Sequence, residues 1–270
     1  LAAPKDETAR LLEYGRVLYS LKRYPDTEAN ARKLLARDPK NWKGHYYLSA
    51  SLLYQYGGKN AEAVSEAHKA IALSPESAEC HFLLAWAHLL RHNPRQALKT
   101  VRPGLRIAPQ DAYGNYLAAW AHKQQCQWLE MLRIAQNGLK SNPEYTRLLN
   151  LQAEAVIMLG YTAEAQEAVE LALHNDPSDP TAHHNCGLLA LFNYRLTEAG
   201  AHFREALRLA PNFSYARWGL RRAQNNDYWF YRLLLRIYAL SRPLASVALF
   251  AGLRALLLMF LVWLSPAGRR

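Results

Sequence analysis

PTAHHNCGLLALFNYRLTEAGAHFREALRLAP, residues 180–211, reads as one unit of two short helices. It opens at Pro180 and places Gly187 and Ala190 in its first helix. Ala199, Phe203 and Ala206 follow, and Pro211 closes it. Proline cannot continue a helix and biases the preceding residue away from the helical region. Pro211 therefore punctuates the end of the unit. The same punctuation stands at Pro39, Pro75, Pro109, Pro143 and Pro177, so successive gaps are 36, 34, 34, 34 and 34 residues.

The units between these prolines share a phase. The fifth carries Ala153, Val156, Ala165, Val169 and Ala172; the third carries Leu84, Ala85, Ala97 and Val101; the first carries Leu11, Tyr14, Gly15 and Leu18. Small residues recur where two helices of a hairpin approach closely, and large apolar ones where they interlock. The second unit, with Leu48, Ala63, Ala67 and Ala70, has two extra residues assigned to a turn at Gly57-Gly58. The fourth has Met131 and Gly138 where alanine is usual.

A 34-residue period with this punctuation resembles the tetratricopeptide repeat over about residues 7–213. The resemblance implies an all-α, right-handed superhelical solenoid of about six helical hairpins. A hairpin of this kind cannot bury its apolar face alone, and the last one needs a cap. Residues 214–226 fit a cap helix, so the solenoid is expected over 7–226.

Composition changes after Asp227. Residues 227–243 are expected to form a juxtamembrane amphipathic helix, with Trp229, Tyr231, Arg232, Arg236, Tyr238 and Arg242 at the membrane interface. After Pro243, residues 244–264 carry a single charge, Arg254, and are long enough to cross a bilayer core. A central arginine costs about 2.5–3.5 kcal/mol on the insertion scale, and the Leu, Phe and Val residues of the segment return about 4–7. The expectation is a transmembrane helix whose Arg254 contacts another membrane subunit or snorkels to a headgroup. A re-entrant, surface-lying or buried helix stays open. Arginines ahead of the span point to a cytoplasmic solenoid at a bacterial inner membrane.

The chain has 270 residues and a net charge of +11. Such an excess favours an acidic partner or anionic surface. Its lysines and arginines are scattered along the repeats, so no nucleic acid is expected. Cys80, Cys126 and Cys186 give neither a disulfide framework nor zinc spacing. Residues 1–4 show no signal-peptide pattern. Among the ten histidines, His81, His88 and His92 share one helix, and His88 and His122 hold equivalent positions. No carboxylate or cysteine joins them at ligand spacing, so no metal is expected and packing is the reading for these and for His183-His184. There is no phosphate loop, nucleophile elbow or zinc-protease motif. No cofactor, small-molecule substrate or enzymatic activity is expected.

In the family the first helix of each hairpin lines the concave face. Carried over, the groove would hold Tyr46, Phe82, Trp86, Tyr116, Trp120, Asn150, Glu154, His184 and Leu188. One subtype clamps carboxylate tails with Lys, Asn and Arg. Here those positions hold Leu12, Arg16, Tyr47, Glu79 and Leu83, so a mostly apolar peptide or helix is the expected ligand. The resemblance implies a membrane-anchored scaffold or accessory subunit that assembles partner proteins, within a membrane complex and against the lipid bilayer. A tail-anchored organelle receptor and an RNA-binding repeat protein are the alternatives.

Overall fold

The computed structural model describes residues 4–56 and 61–225. Every regular element among them is an α-helix, and the chain divides into two compact units. The first, through Leu159, holds α1 (Pro4–Ser20), α2 (Tyr24–Arg37), α3 (Trp42–Tyr56), α4 (Ala61–Leu73), α5 (Ala78–Leu90), α6 (Pro94–Ile107), α7 (Ala112–Gln124), α8 (Trp128–Leu139) and α9 (Thr146–Leu159). The second begins at Gly160 and holds α10 (Thr162–Asn175), α11 (Pro180–Phe192), α12 (Leu196–Leu209) and α13 (Ser214–Asn225).

In the first unit each helix packs against the next, and α1, α3, α5, α7 and α9 also contact one another in series. The odd-numbered helices therefore form one continuous layer, with α2, α4, α6 and α8 behind it. Alanine makes this possible. Ala63, Ala67, Ala70, Ala97 and Ala135 are all at most 1% exposed, which lets backbones approach closely. In the second unit α11, α12 and α13 are mutually in contact, and α10 packs on α11.

Two local devices set the period. Within a hairpin the chain reverses through a residue with positive φ at Lys22, His92, Cys126, Gly160 and Tyr194. The amide one residue on returns to a carbonyl of the finished helix, as in Arg23 N–H to Leu18 O (2.9 Å) and Asn93 N–H to His88 O (2.9 Å). This is the left-handed C-terminal cap, which glycine adopts without strain and other residues do not. Only Gly160 among these five meets that preference.

The second device lies at the prolines. Six residues after five of the six, a side chain donates back to the proline carbonyl. His45 Nε2 reaches Pro39 O (3.0 Å), His81 Nε2 reaches Pro75 O (2.8 Å) and Asn115 Nδ2 reaches Pro109 O (3.1 Å). In the second unit His183 Nε2 and Arg217 Nη2 do the same for Pro177 O (3.1 Å) and Pro211 O (3.0 Å). A polar group is thereby satisfied where the inter-hairpin turn meets the next helix. Three of the histidines are explained as turn donors. The fourth unit departs again: six residues after Pro143 stands the buried Leu149.

The expected membrane anchor requires correction. Among the described residues no helix is long and apolar enough to cross a membrane. The juxtamembrane helix at 227–243, its interface residues Trp229, Tyr231, Arg232, Arg236, Tyr238 and Arg242, and the span at 244–264 with Arg254 lie outside the described residues. The transmembrane element, the inner-membrane location, the bilayer partner and the tail-anchored receptor have no support in the described helices and are not carried further. The helical-hairpin repeat stands without them.

Candidate functional site

The odd-numbered layer of the first unit presents a run of aromatic rings. Tyr19 of α1 touches Tyr46 of α3 (ring centroids 6.3 Å) and Tyr54 of α3 (6.1 Å). Tyr24, at the start of α2, stacks on Tyr54 at 4.3 Å with an interplanar angle of 5°. Tyr54 then meets Trp86 of α5 at 4.7 Å. On α7, Tyr113, Tyr116 and Trp120 recur at helical spacing, with Tyr113–Tyr116 at 6.2 Å and Tyr116–Trp120 at 5.9 Å. Tyr145, just before α9, closes the run on Tyr116 at 6.3 Å. Offset and edge contacts at such separations suit the ring quadrupole and hold the rings in register.

These rings are half-buried except Tyr54, which is 45% exposed. Arg147 of α9 lies over Tyr116, its guanidinium carbon 5.5 Å from the ring centroid. No carboxylate among the described residues lies within ion-pair distance of it. The face thus offers large, pre-positioned apolar surfaces with hydroxyl edges and one cation held over a ring.

Burial is the main influence on the hydroxyls. It pushes Tyr19, Tyr46, Tyr113, Tyr116 and Tyr145 above the ordinary phenol range, and neighbouring tyrosines add to it. Arg147 pulls Tyr113, Tyr116 and Tyr145 the other way without reversing the direction. A group raised in the folded state stabilises the fold fully below its unfolded pKa, about 10 for tyrosine. That contribution disappears as pH rises through the folded values. The clustered rings are therefore expected to give tyrosinate absorbance only above the ordinary phenol range, together with unfolding. A single step near pH 10 with retained helix signal would contradict the cluster.

The residues expected to line the groove separate into three groups. Tyr46, Trp86, Tyr116 and Trp120 belong to the aromatic face. Phe82 does not line a surface. It is 3% exposed, because its ring fills the space left by two glycines. Asn150 and Glu154 are also buried, and Glu154 accepts a hydrogen bond from Lys123 Nζ at 2.6 Å. His184 and Leu188 belong to the second unit, where His184 packs on Phe203, Phe213 and Tyr215. The sequence reading missed Tyr19, Tyr24, Tyr54, Tyr113, Tyr145 and Arg147. Part of the signal was present: Tyr113, Tyr116 and Trp120 are spaced three and four residues apart, one stripe of a helix. The histidines gather into no metal centre. Among the described residues no group of three or more His, Cys, Asp or Glu side chains could hold a metal ion.

Two family models of the tetratricopeptide repeat match the sequence, over residues 56–121 and 159–213. Those two stretches match the tetratricopeptide repeat. The matches cover hairpins in both units, and the proline and positive-φ positions fall in the same phase in stretches the models do not cover. No curated protein matches the chain. Solved structures resemble it in fold. The Cut9–Hcn1 hetero-tetramer of the APC/C aligns with a TM-score of 0.71 at 17% identity, over 80% of this chain and 42% of the other. The type IV pilus biogenesis factor PilW gives 0.67 at 14% identity, over 79% and 98%. YrrB, a repeat protein described as having an unusual peptide-binding site, gives 0.51 at 15% identity, over 69% and 95%. The chain thus spans less than half the length of the Cut9–Hcn1 chain it matches.

Proposed function

We propose that the chain is a non-catalytic adaptor that captures a segment of a partner protein on the aromatic face of its first unit. The observation that carries this reading is the unbroken contact path from Tyr24 through Tyr54 to Trp86, with Tyr54 45% exposed. Rings held by their neighbours lose little conformational freedom when a ligand lands on them. Tyr, Trp and Arg are the residue types that most often dominate binding energy. Arg147 supplies a polar anchor at the other end of the layer. Proteins of similar fold include one described as having an unusual peptide-binding site and one from a hetero-tetramer, which agrees with this role.

The test is affinity capture from a native extract, comparing the full chain with Tyr54→Ala/Trp86→Ala. The expected result is a loss of at least about tenfold in one or more captured proteins, since truncating a central aromatic anchor costs about 2 kcal/mol or more. Helix content and unfolding midpoint should change little by comparison. The same proteins captured at the same yield by both would sink the proposal.

A further inference from the structure

The second helices of the hairpins, α2, α4, α6 and α8 in the first unit and α10 and α12 in the second, differ in how they handle charge. In most of them a basic side chain pairs with an acidic one a single turn away. Arg32 pairs with Glu28 on α2, Lys69 with Glu66 on α4, Arg133 with Glu130 on α8 and Arg208 with Glu205 on α12. Two helices break the rule, in opposite directions.

The sequence of α6, PRQALKTVRPGLRI, contains no acidic residue. Arg95, Lys99, Arg102 and Arg106 follow one another at intervals of four, three and four residues, which sets them in a single stripe about 16 Å long. All four are exposed, and none pairs with a carboxylate among the described residues. The sequence of α10, TAEAQEAVELALHN, has no lysine or arginine. Glu164, Glu167 and Glu170 are exposed at intervals of three and form no ion pair among the described residues. Glu170 accepts a hydrogen bond from Gln166 Nε2 (2.6 Å) on the same helix. Like charges one turn apart oppose the helix that carries them, and an external face of opposite sign removes the opposition.

We infer that these two faces are a matched pair through which copies of this chain associate, α6 of one copy against α10 of another. The contact is heterologous: repeated head to tail, it gives a ring when the rotation closes and an open chain when it does not. Each exposed ion pair is weak and screened by salt, so the association is weak, reversible and strongest at low ionic strength. The apolar side chains at its rim, Ile107 on α6 and Leu171 on α10, are 41% and 48% exposed and add contact area. The occupant is a second copy because the complementary charge is already present on the same chain. This surface lies on helices other than those of the aromatic face and does not depend on the adaptor reading.

Sedimentation velocity of the full chain tests it. The average mass should rise with protein concentration in about 50 mM salt, and the apparent affinity should fall at least about tenfold by 500 mM. Two charge-reversal variants sharpen the test, Lys99→Glu/Arg102→Glu on α6 and Glu167→Lys/Glu170→Lys on α10. Each alone should lose association by at least about tenfold, because both faces then carry the same sign. An equimolar mixture of the two should regain it. A wild-type chain that stays monomeric at low salt overturns the inference. So does association that is insensitive to salt, or variants that associate as the wild type does, or a mixture that restores nothing. The wild-type salt series needs no variant and decides the matter even where a variant folds poorly.

Discussion

Phe82→Ala is expected to destabilise the first unit by about 3–5 kcal/mol, the range for truncating a fully buried phenylalanine that leaves a cavity. The ring is 3% exposed and sits where Gly104 and Gly114 lack side chains. A Cβ built at Gly104 would lie 2.6 Å from Phe82 Cε1, and one at Gly114 would lie 2.4 Å from Phe82 Cζ. These distances leave no room for adjustment short of moving the ring. The site therefore joins α5, α6 and α7 through one side chain. Removing it leaves a hole bounded by backbone, which cannot collapse without shifting helices. The converse substitution, Gly114→Ala, overpacks the same space and should cost about 1–3 kcal/mol. Urea unfolding with hydrogen exchange on the amides of α5–α7 measures both. A loss under about 1 kcal/mol for Phe82→Ala would return the ring to the surface and to a direct role in binding. The second unit repeats the arrangement with Phe203 between Gly187 and Gly219.

His45→Leu should cost about 2–3 kcal/mol near neutral pH and reduce the acid sensitivity that the first unit owes to Glu66. His45 Nε2 faces the Pro39 carbonyl and His45 Nδ1 faces Glu66 Oε2 at 2.5 Å. Each ring nitrogen thus has an oxygen partner, one on the turn and one on α4. Lys69 Nζ donates to the other carboxylate oxygen at 2.7 Å. The His45 and Glu66 side chains are 9% and 8% exposed, whereas Lys69 is 55% exposed. Deleting the imidazole strands a nearly buried carboxylate with one solvated partner, which places the cost at or just below the usual range for a broken buried pair.

The pH dependence follows in sign. Burial is the largest influence on Glu66 and pushes its carboxyl up. Hydrogen bonds from Lys69 and His45 outweigh it and hold the group below the ordinary glutamate value. A carboxyl depressed in the folded state stabilises it above the unfolded pKa, about 4.3. That contribution is lost as pH falls through the lower folded value. Thermal midpoints measured from pH 6 down to pH 3 should therefore drop in the wild type. They should drop less in Glu66→Gln, which has no carboxyl to protonate at this position. Equal slopes would show that Glu66 is not part of the acid response.

Much of the architecture was legible because each repeat is a local unit. The 34-residue proline phase, the alanines at Ala63, Ala67 and Ala97, and the glycine at Gly187 all act between helices adjacent in sequence. Periodicity is the trace such packing leaves. The turn donors six residues after five of the prolines were not recognised, because His, Asn and Arg share no obvious property until one geometry makes each a donor. The aromatic face was legible in part. Equivalent positions in successive repeats brought out Trp86 and Trp120, and the same logic included Phe82, Asn150 and Glu154. A repeat position specifies which helix a residue occupies. It does not specify how deep its side chain lies.

By itself, then, the sequence determined the all-helical hairpin repeat, its period and the absence of a recognisable catalytic motif, since these depend on residues close along the chain. Only the tertiary structure decided which aromatic rings face outward. Tyr54 is exposed and Phe82 is enclosed, although both are aromatic residues on odd-numbered helices. The reason is steric: Gly104 and Gly114 open a space that one ring must fill, and no equivalent space is offered to the other. Tyr54 stays half in solvent, stacked on Tyr24 and tilted against Trp86, and that position makes it the centre of the proposed binding face.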